Sequence, residues 1–167
     1  FLGSLSVIPL IFIFERGAHD KEMKKTSLIA GLMAGVALFA ASYVQQVGIM
    51  LTDSAGKGGF ITGLYMIFVP IIGIFLGKKT GLQIWVGAGF GIVGLFLLCL
   101  GGSELTLTKG DLLLILCAVL FAIHILIIDH FGQRMYSLRF AFVQFATSAV
   151  LNCIGTLIFE NFALAPL

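Results

Sequence analysis

The sequence predicts an all-α fold, a polytopic bundle of membrane-spanning helices. Three observations predict it. The 167-residue chain is 59% hydrophobic and only 11% charged, against about 25% charged residues in a soluble domain. Its Asp, Glu, Lys and Arg residues gather at 15–25, 53–57, 78–79, 104–111, 129–139 and 160, and the intervals between them are long and apolar. Those intervals lack the period-two alternation that a membrane strand carries. Too few polar side chains remain to cover a surface facing water, so the lipid bilayer is the natural solvent and first partner of the chain. In lipid every backbone N–H and C=O must be paired internally, and a helix does this within its own segment.

Spans are expected at 1–14, 28–50, 58–77, 82–101, 110–128 and 138–159. Five have the ~20 residues that a rise of 1.5 Å per residue needs to cross about 30 Å of hydrocarbon. The first is short. It opens at Phe1 inside an apolar run, with no basic leader and cleavage site, so a fragment of a longer chain is expected. Small residues four apart, at Gly31/Gly35, Gly59/Gly63, Gly73/Gly77 and Gly87/Gly91, suit close helix contact in lipid, where association relies on van der Waals approach. Pro70, inside the third span, removes one helical N–H and crowds the carbonyl of Met66, which predicts a kink. Such a bend either fits the helix to its neighbours or helps line a cavity.

The segment Leu51–Gly63, LTDSAGKGGFITG, is dense in glycine and carries a lysine. A phosphate-binding loop needs Gly-x-x-x-x-Gly-Lys followed by Ser or Thr. Here Gly58 follows Lys57, Leu51 stands at the first position, and no strand precedes. The stretch therefore reads as a tight turn, with Asp53 or Ser54 capping the next helix.

The connectors alternate in charge. Glu15–Thr26 holds Arg16, Lys21, Lys24 and Lys25; Gly77–Gly81 holds Lys78 and Lys79; Asp129–Arg139 holds Arg134 and Arg139. The two other connectors hold Lys57 and Lys109. The positive-inside rule puts connectors 15–26, 77–81 and 129–139 in the cytoplasm of a cell-membrane protein. No basic face of the kind that binds nucleic acid forms. Cys99, Cys117 and Cys153 lie inside apolar runs, match no zinc or disulfide framework, and read as small buried hydrophobes. No cofactor or metal is implied.

No Asp, Glu, Lys or Arg is expected mid-span, so a carboxylate proton relay is not in view. Neutral polar residues are. Tyr43 and Gln46 share a helical face with Phe39; Thr62 and Tyr65 do likewise; His124 shares one with Cys117, Phe121 and Ile128; Gln144, Ser148 and Asn152 form an i, i+4, i+8 stripe. The stripe reads as hydrogen bonding across a packed interface. His124 has two open readings: a functional intramembrane group, or a neutral imidazole donating to a carbonyl. Gln45 and Gln83 fall near span ends, and Trp85 and Tyr136 read as interfacial anchors.

The runs YVQQVGIMLTDSAGKGGFITGLYMIFVPIIGIFLGKK, GLQIWVGAGFGIVGLFLLCL and LTKGDLLLILCAVLFAIHILIIDHF resemble the EamA-like family of the drug/metabolite transporter superfamily. The order carries the resemblance: a T-x-S-A-type turn, a span with an internal Pro ending in Leu-Gly, a Gly-rich span, then Gly-Asp opening a helix. Lys78 departs from the pattern, where Glu often follows Leu-Gly. The resemblance implies a ten-helix transporter of two inverted five-helix repeats, with residues 1–101 as helices two to five of the first repeat and 102–167 holding the first two helices of the second. It implies alternating access around a midplane cavity and export of a small organic substrate such as an amino acid or base. Tyr43, Gln46, Tyr65 and His124 are the candidate substrate-binding residues, because aromatic rings with polar tips suit such solutes. A homo-oligomer is an open assembly. Two rival readings stand beside this one. A membrane-embedded enzyme would need a nucleophile–base pair, paired carboxylates or a metal cluster, and His124 has no acidic partner in view. A non-transporting membrane subunit or scaffold is compatible with the same composition.

Overall fold

The computed structural model describes residues 2–15, 17, 20–52, 54–100 and 108–159, without the side chains of 98–100 and 157–159. The expected Asp53 cap and the reading of Cys99 fall outside these. The described residues are helical throughout, with no strand: α1 (Leu2–Phe14), α2 (Lys21–Leu51), α3 (Ala55–Gly63), α4 (Tyr65–Phe75), α5 (Leu82–Leu100), α6 (Lys109–Phe131) and α7 (Ser137–Phe159). A 3-10 turn, Gly132–Arg134, follows α6. Four segments are long and apolar enough to cross a membrane: Lys21–Leu51, Ala55–Phe75, Lys109–Arg134 and Ser137–Thr156. With many large apolar side chains exposed along the helices, Phe90, Leu97 and Val150 among them, the chain is a helical membrane protein.

Local signals set the helix ends. α2 starts at Lys21 rather than near residue 28, because the Asp20 carboxylate accepts the N–H groups of Glu22 (2.9 Å) and Met23 (3.3 Å). A cap placed among charged residues lets the helix begin before the apolar run does. At 31 residues, about 46 Å long, α2 exceeds the hydrocarbon thickness. Ser54 caps α3, its hydroxyl accepting the Lys57 N–H at 3.4 Å. α4 ends in a Schellman turn: the N–H of Lys78 reaches the carbonyl of Gly73 and that of Gly77 reaches Ile74, both at 2.9 Å. Gly77 has φ of 78°, a left-handed conformation that a Cβ would strain.

The third span carries a tightened turn at Leu64. The N–H of Leu64 bonds to Ile61 and that of Ile67 bonds back to Leu64, an i to i−3 pattern, while Pro70 sits buried within α4. Proline forfeits its bond to Met66 without ending the helix. The tightened turn follows Gly63, where the backbone is least supported by side chain.

The chain divides into two compact units, residues 1–39 with 127–167 and residues 40–126. In the first, Ser27, Ala30, Gly31, Ala34 and Gly35 form the buried stripe of α2, at the i, i+3, i+4, i+7, i+8 spacing of one helical face. A Cβ on Gly31 would stand 2.7 Å from that of Val143, and one on Gly35 would stand 2.6 Å from that of Thr147. The two helices run parallel, residues 27, 31 and 35 meeting 136, 143 and 147 in order. α1 runs antiparallel to α7: Gly3 meets Phe145, and Glu15 meets Leu138 and Arg139.

In the second unit α3–α4 run antiparallel to α5. Phe60 meets Phe96 edge-on at 6.0 Å, Gly63 lies against Leu95, and Met66 lies against Gly91. They run parallel to α6, with Lys57 at Asp111, Tyr65 at Phe121 and Gly73 at Leu126. These are the directions that successive crossings of one membrane require. The glycine pairs divide accordingly. Gly31/Gly35 serve close approach, Gly63 and Gly91 each meet a side chain, Gly77 serves a turn, and a Cβ on Gly87 would meet nothing within 4 Å.

Gly35→Leu forces bulk into the Thr147 backbone-to-helix contact and is expected to cost about 1–3 kcal/mol, whereas Gly87→Ala is expected to leave stability unchanged or slightly higher. Thermal unfolding of the two variants in detergent distinguishes them.

Candidate functional site

The densest polar cluster joins three helix ends in the unit 40–126. Asp111 is fully buried and Lys57 is 3% exposed. Their ammonium–carboxylate distance is 2.6 Å. The same carboxylate accepts the Thr52 hydroxyl and the Thr108 N–H, both at 2.7 Å, while the Thr108 hydroxyl accepts the Asp111 N–H at 3.3 Å. Thr108 and Asp111 thus form a reciprocal capping box at the start of α6. Ser54 and Lys57 occupy the corresponding positions of α3. Two parallel helices present their positive dipole ends side by side, and Lys57 adds a full charge to them. Asp111 opposes all three. Gly110 makes the approach possible: a Cβ there would stand 2.5 Å from the Leu51 carbonyl carbon and the Thr52 nitrogen.

Sequence reasoning placed Lys57 in a connector between spans and saw Gly-Asp only as a helix opening. The structure buries both charges. Ser-x-x-Lys at 54–57 and Thr-x-x-Asp at 108–111 place each charge at the third position of its helix, which was readable. That the two helix starts meet was not, since nothing local encodes it.

One to three turns further along the same helices lies a second layer. Thr62, 7% exposed, and Tyr65 flank the irregular turn at Leu64. Across from them α6 presents Cys117, fully buried, and Phe121. The Thr62 hydroxyl is buried on the side of Cys117 and has no hydrogen-bond partner among the described residues. The Tyr65 and Phe121 rings are 6.2 Å apart and tilted by 49°. His124 is half-buried on α6, one turn beyond Phe121. Tyr65 meets the Phe121 ring, and His124 lies one turn from Phe121 on the same helix. Tyr43, 40% exposed, and Gln46 lie on the side of α2 opposite Ala41 and Gly48, the face that meets α6 at Leu114 and Gly110.

In the unit 1–39 with 127–167, Glu15 binds Arg139 at 3.2 Å and accepts the Leu138 N–H at 3.0 Å, and Ser27 accepts the Tyr136 N–H at 2.8 Å. Two groups from distant segments thereby satisfy orphan donors at the start of α7. The Gln144–Asn152 stripe divides. Gln144 and Ser148 are buried, but Asn152 is exposed and donates to the Ser148 carbonyl at 2.8 Å along its own helix. With Ser4 and Cys153 it lines a cleft of about 420 Å³ between α1 and α7. Cys153 is exposed there, contrary to its expected burial; Cys117 is buried as expected. Among the described residues no group of His, Cys, Asp and Glu could hold a metal ion.

No family model and no solved structure matches the chain. A curated relative does. The chain is similar to an uncharacterized transporter of Archaeoglobus fulgidus. The two are 32% identical over 135 residues, which cover 78% of this chain and 42% of that protein. The chain thus spans less than half the length of the relative it matches.

Lys57→Met leaves the Asp111 carboxylate buried without its cation and is expected to cost about 3–5 kcal/mol. Lys109→Met, at an exposed helix start, is expected to cost under about 1 kcal/mol. Denaturant titration in micelles, followed by the Trp85 fluorescence, reads the difference.

Proposed function

We propose that this chain is part of a multi-pass membrane carrier that moves a small organic metabolite by alternating access. One observation carries the reading. The third span tightens at Leu64, and the residues on either side of that turn, Thr62 and Tyr65, lie towards Cys117 and Phe121 of α6. Local departures from regular helix inside a span are a common feature of functional sites in membrane helices. Aromatic faces with hydroxyl, thiol and imidazole groups beside them suit a small organic solute. Tyr65 and His124 form the core of this proposed site, and Tyr43 and Gln46 would join it from α2 in a fuller assembly.

The likeness to an uncharacterized transporter supports the same reading. So does the resemblance to EamA-like carriers, from which the finer proposals follow: residues 1–101 and 102–167 as parts of two inverted repeats, export from the cell, and connectors 15–26, 77–81 and 129–139 in the cytoplasm. The ties between Glu15 and Arg139 and between Ser27 and Tyr136 support a common side for the first and last of these connectors.

The native full-length protein, reconstituted in liposomes, is expected to exchange at least one labelled amino acid, base or related metabolite. Tyr65→Ala and His124→Ala are each expected to lower that flux roughly tenfold, equivalent to about 1.4 kcal/mol. Trp85→Ala is expected to leave it nearly unchanged. A broad panel with no flux at all would defeat the proposal.

Orientation has its own check. Single cysteines at Lys21, Lys79 and Gly132 are expected to react with an impermeant maleimide only from the cytoplasmic face, and one at Lys109 only from the opposite face. Labelling of all four from one side would refute the assigned alternation.

A further inference from the structure

We infer that α3 is a gate: a half-helix hinged at Leu64 and latched shut by the Lys57–Asp111 pair. The inference rests on the carrier reading above and says which part of the chain moves. Two independent features meet in one short element. At its far end the N–H of Leu64 bonds to Ile61 and that of Ile67 to Leu64, i to i−3, beside the regular bond from Phe68 to Leu64, and a mid-span turn tightened in that way is a common hinge. At its near end the ammonium of Lys57, 3% exposed, is held at 2.6 Å by a carboxylate on another helix. The nine-residue helix Ala55–Gly63, which carries Lys57, can pivot as a rigid piece.

The latch suits a switch better than a permanent bond. Packing across the apolar part of α3 is non-directional and survives small rotations. An ion pair with fixed hydroxyl and amide partners does not. It is either formed, with Thr52, Thr108 and Lys57 all on the Asp111 carboxylate, or broken, with the charges hydrated by entering water. That gives two discrete states rather than a continuum. The broken state needs water at these helix starts, and water there is what an opened access path supplies. The latch also covers the right residues. Thr62 and Cys117, both buried, lie on α3 and α6 just beyond it, so lifting α3 uncovers the layer that includes Tyr65 and Phe121.

The Phe60–Phe96 edge contact and the seat of Gly63 on Leu95 tie α3 to α5. In the opening motion α3 and the facing part of α5 therefore move together, away from α6. The pair Lys57–Asp111 is a charged connection across that parting line.

The test uses the native full-length protein in proteoliposomes with Cys117 as the sole cysteine, and reads the rate of its alkylation by a small impermeant thiol reagent added at the face bearing Lys57. It requires no knowledge of the substrate, so it can fail while transport stands, and the reverse. With an open state populated to ~1%, weakening the latch is expected to raise that population, and the alkylation rate, roughly tenfold. Lys57→Met and Asp111→Asn should both do so. The exchanged pair Lys57→Asp with Asp111→Lys should return towards the wild-type rate. Thr52→Val, which removes one donor and keeps both charges, should give a smaller rise and reports even where the single charge variants fail to fold. Glu15→Gln, which breaks the ion pair with Arg139, should leave Cys117 protected. Folded Lys57→Met or Thr52→Val protein alkylating at the wild-type rate would overturn the inference, as would an equal rise in Glu15→Gln.

Discussion

The carboxylate of Asp111 is the point on which the unit 40–126 depends. It sits fully buried where α2 ends and α3 and α6 begin, and it answers a hydroxyl, an amide and an ammonium at once. Each of those three groups comes from a different segment. Taken singly they are ordinary: a helix cap, a threonine at a helix end, a lysine near a turn. Together they fix α3 parallel to α6 and set the register that brings Tyr65 to Phe121 further along. A charged group in an apolar interior tolerates few arrangements, because each lost partner leaves a desolvated charge. That intolerance is what defines the register.

Elsewhere the chain uses a quieter device. Gly31 and Gly35 let α2 lie on α7 so closely that a methyl group at either would collide with it. Lipid offers no hydrophobic gain for such a contact, so the approach itself is the source of attraction. The start of α7 is then completed by Ser27 and Glu15, which reach it from α2 and the end of α1. In both units, close backbone approach is followed by a few polar ties at helix ends. Water or headgroups can assist there in folding, whereas the span centres carry mostly apolar side chains.

Much of the fold was legible in the sequence. Among the described residues, composition and the spacing of charge clusters located the apolar helices, with α3 and α4 read as one span, since lipid demands long apolar runs and relegates charge to the gaps. The Ser54 cap, the Leu-Gly end of α4 and the Gly31/Gly35 contact were readable because each rests on a local rule. The turn at Leu64, just after Gly63, had no signal of its own. Lys57 was not legible either: a lysine in a glycine-rich connector gives no sign of burial, and only the meeting of two distant helix starts buries it. The candidate site was legible in part for the same reason. Tyr65 and His124 could be picked out as polar groups within spans. The meeting of Tyr65 with Phe121, and the Thr62–Cys117 layer beside it, depend on how α3, α4 and α6 register.

The central claim is that Lys57 and Asp111 act as one unit in holding these helices. A double-mutant cycle on unfolding free energy tests it most directly, using Lys57→Met, Asp111→Leu and the two combined. The account expects each single variant to be far less stable than the wild type and the double variant to recover much of the loss, with a coupling of at least about 2 kcal/mol. Additive losses, with the double variant as unstable as the sum of the singles, would contradict it.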